Sequence, residues 1–155
     1  MKIAVFPGSF DPFTKGHEDV VEKSLAAFDK VIIGIGVNES KKYAYDLENR
    51  IEHIRSIYSD RSNVEVHSYS GLTTDFCIEN NASHIVRGLR NSTDFDYENK
   101  IALMNKSLIS SIETICFFTS PEVMAINSSI IRELVKNGAN IEKYVTNADR
   151  LTYTL

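Results

Sequence analysis

The sequence predicts a doubly wound α/β fold, a five-stranded parallel sheet with helices on both faces. Three observations point there. Strand-like and helix-like segments alternate five times along the chain. The strand-like segments are short apolar runs without strict alternation, as expected of strands buried on both faces. The length of 155 residues suits one domain, residues 1–155, and a chain of this size buries roughly 70% of its unfolded surface.

The elements follow in order. Lys2 to Phe6 reads as a buried strand, and Pro7, Gly8, Pro12 and Gly16 break the chain into a loop after it. His17 to Phe28 places Val20, Val21, Leu25 and Phe28 on one helical face, with Glu18 and Asp19 in the first turn where the helix dipole favours acids. Val31 to Val37 is a second strand and Asn38 to Tyr45 a loop. Asp46 is placed to cap a helix whose stripe is Leu47, Ile51, Ile54 and Tyr58. Val64 to Tyr69 is a third strand, Leu72 to Asn80 a short helix and His84 to Val86 a fourth strand. Thr93 to about Leu108 is a helix with Tyr97, Ile101, Met104 and Leu108 in register, a face for the core or for an interface. Thr114 to Phe118 is the fifth strand. Ser128 to Lys136 is a helix that Gly138 can close, and a last helical piece lies near Ile141.

Composition excludes several classes. Hydrophobic residues make up 43% and charged residues 25%, which rules out a disordered or collagenous chain. Seventeen basic and 21 acidic residues leave a formal charge of −4, against a general nucleic-acid binder. The longest apolar run falls far short of the ~20 residues of a membrane span, and the first residues lack a signal-peptide core. A cytoplasmic protein is expected. Cys77 and Cys116 are too far apart for a metal pair and read as two buried, reduced thiols.

In a doubly wound fold the ligand lies beyond the carboxyl ends of the strands, so function belongs in the loops there. Two common phosphate devices are absent. Gly34-Ile35-Gly36 lies inside the second strand and is followed by Glu39 where GxGxxG needs glycine; Phe13 occupies the second glycine position of a Walker loop started at Gly8. The stretch Gly8 to His17 offers another device. Its glycines allow close approach, Ser9 offers a hydroxyl and an amide, and Gly16-His17 opens a helix whose free N–H groups attract phosphate. His17 adds a donor; at a helix N-terminus its pKa is expected to fall, and a neutral imidazole still donates one hydrogen bond. Arg87 and Arg90 flank a glycine just past a core strand, where planar guanidinium forks suit phosphate.

Thr14-Lys15-Gly16-His17 resembles the T/HxGH signature of nucleotidyltransferases. Pro7 to Pro12 with Gly16-His17, and Arg87-Gly88-Leu89-Arg90 with Asp94 to Glu98, resemble the bacterial phosphopantetheine adenylyltransferases over nearly the whole chain. The resemblance implies a Rossmann-like nucleotidyltransferase fold with C-terminal helices. It implies transfer of AMP from ATP to 4′-phosphopantetheine by in-line displacement, giving dephospho-coenzyme A and pyrophosphate. By the same resemblance His17, Lys41 and Arg90 are catalytic. Ser9, Phe10, His17, Gly88, Leu89, Arg90, Glu98 and Val123-Met124-Ala125-Ile126-Asn127-Ser128-Ser129 contact ATP. Ser9, Lys41, Thr73 and Arg87 contact the acceptor, with Leu72 and Thr73 also readable as core and cap residues, and Lys42 as a solvated loop residue.

The chain departs from the family where Asn127 replaces a usual Ser and Val123-Met124 replace a common Trp; no Trp occurs at all. Mg²⁺ is implied as the counter-ion of the triphosphate, without a protein metal site, and Asp11 is not assigned as a ligand. Coenzyme A is implied as a feedback inhibitor and a homohexamer as the assembly. Two other readings stay open. One is a sister enzyme acting on nicotinamide mononucleotide or a glycerol phosphate, against which Ser9 and the Arg-Gly-Leu-Arg stretch speak. The other is a catalytically silent sensor of nucleotide or coenzyme A.

Overall fold

Five parallel strands alternate with five α-helices in a computed structural model that describes all 155 residues. The elements are β1 (Ile3–Gly8), α1 (Lys15–Leu25), β2 (Lys30–Gly36), α2 (Leu47–Ile57), β3 (Val64–Tyr69), α3 (Thr73–Glu79), β4 (His84–Leu89), α4 (Ser92–Leu108), β5 (Glu113–Phe118) and α5 (Ser128–Lys136), followed by a 3₁₀ turn at Ala148–Arg150. The strand order is β3-β2-β1-β4-β5. The chain winds outward from β1 to β3 and then returns to the other side of β1, so the switch point lies between β1 and β4.

Successive residues of the central strand point to opposite faces. Ala4 and Phe6 join Val20, Val21, Ile51 and Ile54 of α1 and α2. Val5 joins Phe76 and Cys77 of α3 and Ile112 before β5. A separate small cluster of Ile131, Ile141 and Val145 folds the C-terminal segment against α5.

Local chemistry sets the helix ends. Asp46, Asn91 and Asn127 accept hydrogen bonds from the backbone amides of Asn49, Asp94 and Ile130, satisfying donors at the starts of α2, α4 and α5. After α5, Gly138 takes φ of 77° while its amide and that of Ala139 return to the carbonyls of Val135 and Leu134, a left-handed cap that a Cβ would strain.

Four expectations change. The segment near Ile141 is a single turn, with the short 3₁₀ element only at Ala148–Arg150. Along α4 only Glu98 is buried, and Tyr97, Ile101, Met104 and Leu108 are 62%, 40%, 63% and 56% exposed, so that stripe is not core of this chain. Leu72 is likewise exposed rather than core. Cys77 is buried as expected, but Cys116 is exposed, because β5 is an edge strand only partly covered by α4.

Strands β1 and β4 are paired only at Ala4–His84 and Val5–Ile85. Pro7 has no N–H to extend the ladder. The Arg87 side chain reaches across instead, Nη1 donating to the Pro7 carbonyl at 2.5 Å. The sheet thus opens a crevice at the carboxyl ends of its two central strands.

Candidate active site

Two cavities meet in that crevice. One, of about 660 Å³, runs from Gly8 and Ser9 past Lys41, Tyr43 and Thr73 to Tyr97, Ile101 and Asn105 on α4. The other, of about 360 Å³, is bordered by Phe10, Gly16, His17, Gly88, Arg90, Asn127, Ser128, Ser129 and Arg132. Pro7, Gly8, Ser9, Arg87 and Glu98 border both.

His17 lies in the first turn of α1, where it both closes the start of the helix and faces the smaller cavity. Its Nδ1 accepts the backbone N–H of Thr14, the residue capping α1, at 2.9 Å. The proton of a neutral imidazole must then sit on Nε2, which has no partner in the chain, in a ring that borders the smaller cavity. Phe6, Phe10 and Phe13 surround the imidazole with ring centroids 6.1, 5.1 and 5.2 Å away. Burial, and then the charges of Arg87 and Arg90, push its pKa down to about 3. At neutral pH His17 is an uncharged donor. Phe10, held at φ of 48° and only 4% exposed, is part of this aromatic wall.

The arginines are already engaged. Arg87 forms a forked ion pair with Glu98, Nε to Oε2 at 2.9 Å and Nη2 to Oε1 at 2.6 Å. With the bond to Pro7, three of its five N–H groups are used and two remain. Each Glu98 oxygen accepts one Arg87 N–H, and Glu98 borders both cavities. Arg90 donates from its backbone amide and its Nε to Asp94 at 3.0 and 3.2 Å.

Asn127, rather than either serine, caps α5, whose N-terminus faces the smaller cavity. Ser128 donates its hydroxyl to the Pro12 carbonyl at 2.8 Å and so ties α5 to the first loop. Ser129 accepts from Arg132 Nη2 at 3.2 Å, while Arg132 Nη1 donates to the Asp11 carbonyl at 2.9 Å. Arg132 was missed in the sequence, although its spacing of three from Ser129 puts both on one helical face.

Lys41 and Thr73 stand at the larger cavity as expected, the Thr73 hydroxyl 2.8 Å from that of Tyr69. Lys42 borders neither cavity. Neither do Leu89, Val123, Met124 and Ala125. Leu89 is buried in the core side of β4, and Val123 to Ala125 form a turn closed by bonds from Val123 to Ser120 and from Ile126 to Val123.

Three carboxylates border the smaller cavity, Asp11, Asp94 and Glu98. Asp11 accepts the amides of Ala44 and Tyr45 at 2.9 Å each, and the other two hold arginines. No three acidic, histidine or cysteine side chains come close enough together to form a cage for a resident Mg²⁺.

The chain is similar to known proteins over nearly its whole length. A family model described as cytidylyltransferase-like matches residues 5–134. A curated protein of Cytophaga hutchinsonii named phosphopantetheine adenylyltransferase is 48% identical over 93% of this chain and 96% of its own length. Proteins of the same name from Flavobacterium psychrophilum and Clostridium botulinum are each 46% identical, over 97% and 94% of this chain and 99% and 91% of theirs. This chain belongs to the phosphopantetheine adenylyltransferase family. Among solved structures, a bifunctional NMN adenylyltransferase/ADP ribose pyrophosphatase from Francisella tularensis matches with a TM-score of 0.71 and 22% identity, over 97% of this chain and 46% of that one. That match shows the shared nucleotidyltransferase fold. The phosphopantetheine adenylyltransferase relatives match with twice that identity, and over nearly their whole length. No helix is long and apolar enough to cross a membrane.

Proposed function

We propose that the protein catalyses transfer of the adenylyl group of ATP to 4′-phosphopantetheine, forming dephospho-coenzyme A and pyrophosphate in coenzyme A synthesis. The observation that carries the reading is the meeting of two cavities at Ser9 and Arg87, beside an uncharged His17 donor. The nucleotide takes the smaller cavity and its phosphates face Arg90, Arg132 and the N-terminus of α5. The acceptor takes the larger cavity, its phosphate near Ser9, Lys41, Thr73 and Arg87 and its arm running toward Ile101 and Asn105.

An acceptor phosphate oxygen attacks the α-phosphorus, the bond to the β-phosphate oxygen breaks, and pyrophosphate leaves with that electron pair. The nucleophile is already anionic and needs no base. The protein's work is alignment and stabilisation of charge on the phosphoryl oxygens. His17 Nε2–H donates to an α-phosphate oxygen, Lys41 offsets the acceptor charge, and Arg90 binds the leaving phosphates. Gly88, beside Arg90, lets the nucleotide approach the backbone. Leu89 and Val123 to Ala125, which stand outside the cavities, enter only through backbone at the rim. Glu98 serves by holding Arg87.

Mg²⁺ accompanies ATP as part of the substrate, on the triphosphate's own oxygens. Coenzyme A, sharing the acceptor's arm, competes for the larger cavity. The exposed α4 stripe and Phe118, 83% exposed on edge strand β5, support assembly of copies into a homohexamer, since patches of this kind mark interfaces. The protein works in the cytoplasm.

The test is pyrophosphate release from ATP and Mg²⁺ with and without 4′-phosphopantetheine, the product identified by mass. Dephospho-coenzyme A is expected only in the complete mixture. Release with nicotinamide mononucleotide instead would overturn the acceptor assignment.

A further inference from the structure

We propose that Arg50 of α2 is a positioning residue, which locks the loop bearing Lys41 to the loop bearing Ser9. Arg50 is 2% exposed and takes part in no ion pair. A buried cation without a carboxylate partner is costly, and this one spends its donors on two backbone carbonyls. Nη1 donates to Ser9 O at 2.6 Å and Nε to Tyr45 O at 3.0 Å. The face of its guanidinium lies over the Tyr43 ring, 4.1 Å from the centroid.

Asp11, two residues beyond Ser9, accepts the amides of Ala44 and Tyr45. Residues 43–45, which end the Lys41 loop, are therefore gripped on a ring face, two amides and a carbonyl. Ser9 borders both cavities, and Lys41 and Tyr43 border the larger one. One rigid fork thus sets the spacing between two groups that meet the acceptor phosphate. A planar guanidinium fixes the angle between its donors, which an ammonium does not.

The inference rests on the adenylyl-transfer reading. Reaction between two bound substrates demands tight alignment, and a misplacement of about 1 Å costs about 10²-fold in rate. Binding of ATP alone does not need the Lys41 loop. The experiment compares wild type with Arg50→Lys and Arg50→Met, measuring kcat, both KM values, calorimetric Kd for ATP and melting temperature.

Arg50→Lys keeps the cation but gathers its donors on a single nitrogen, and it carries the test if the Met variant does not fold. The expected result is a kcat reduced about 10²-fold, a raised KM for 4′-phosphopantetheine and an ATP Kd within about threefold of wild type. A residue that only stabilises the fold would lower the melting temperature and leave kcat and KM alone. Variants with both parameters within about threefold of wild type overturn the proposal, and so does failure of both to fold. A wild type that forms no dephospho-coenzyme A fails the functional reading itself, before any variant is compared.

Discussion

Replacing His17 with Asn separates its two bonds. The amide oxygen of Asn branches from the same carbon as Nδ1, so it can still accept the Thr14 N–H that closes the start of α1. Nothing in Asn reaches the place of Nε2–H. The perturbation therefore removes the donor and keeps the cap. Removing one preorganised donor to a developing oxyanion costs about 2.7–4 kcal/mol, or about 10²–10³ in kcat.

The assay is steady-state pyrophosphate release with both substrates varied. A fall in kcat of about 10²–10³ with KM values changed by only a few-fold is expected, because the bond strengthens in the transition state. His17→Ala loses the cap as well, about 1 kcal/mol, and should melt about 2–4 °C below the Asn variant. A His17→Asn enzyme whose kcat stays within about tenfold of wild type, about 1.4 kcal/mol, would refute the assignment.

Two further outcomes follow from the same packing. His17 has a folded pKa of about 3 against an ordinary 6.5, so as pH falls through 6.5 the unfolded chain takes up a proton that the folded chain refuses. The stability present above pH 6.5 is lost progressively toward pH 3, at about 1.4 kcal/mol per unit. Buried His53, its pKa lowered chiefly by desolvation, acts in the same direction. Urea unfolding at pH 7.5 and 5.0 should show wild type losing about 2 kcal/mol more than His17→Asn; equal losses would contradict a neutral imidazole with a lowered pKa. At Gly88, a Cβ would lie 2.7 Å from Val20 Cγ2. Gly88→Ala should cost about 1–3 kcal/mol, seen as a lower melting temperature, and Val20→Ala in the same chain should recover part of it.

The sheet and its loops were legible because periodicity and punctuation are local. Asp46 capping α2 and Gly138 closing α5 needed only neighbours in sequence. The α4 stripe misled where it was read as core, because helical spacing of apolar residues states only that a face is apolar and not what covers it. Asn127 illustrates a second limit. Its oxygen caps α5 by accepting the Ile130 amide, a role set by backbone geometry, while its Nδ2 keeps both N–H donors. Arg132 and Arg50 escaped notice because a lone arginine on a helix reads as surface charge. Only the fold brings one to the Asp11 carbonyl and the other beneath Ser9, 121 and 41 residues away in sequence.

The same geometry explains how a chain of net charge −4 can receive two polyanions. Arg87 and Arg90 at the crevice are each paired with an acid, and burial decides which pair can exchange partners. The side chain of Glu98 is 8% exposed and grips Arg87 with both oxygens. Releasing it would strand a buried carboxylate, at a cost of several kcal/mol. Arg87 therefore keeps Glu98 and meets a phosphate with its two remaining N–H groups. The side chain of Asp94 is 23% exposed, that of Arg90 36%, and one oxygen carries both of their contacts. Such a pair holds little stability, and water can take over Asp94 when a phosphate takes Arg90. Lys41 needs no exchange, since it has no ion-pair partner. The fixed pair shapes the crevice, and the exchangeable pair and the free lysine supply the charge that an incoming phosphate meets.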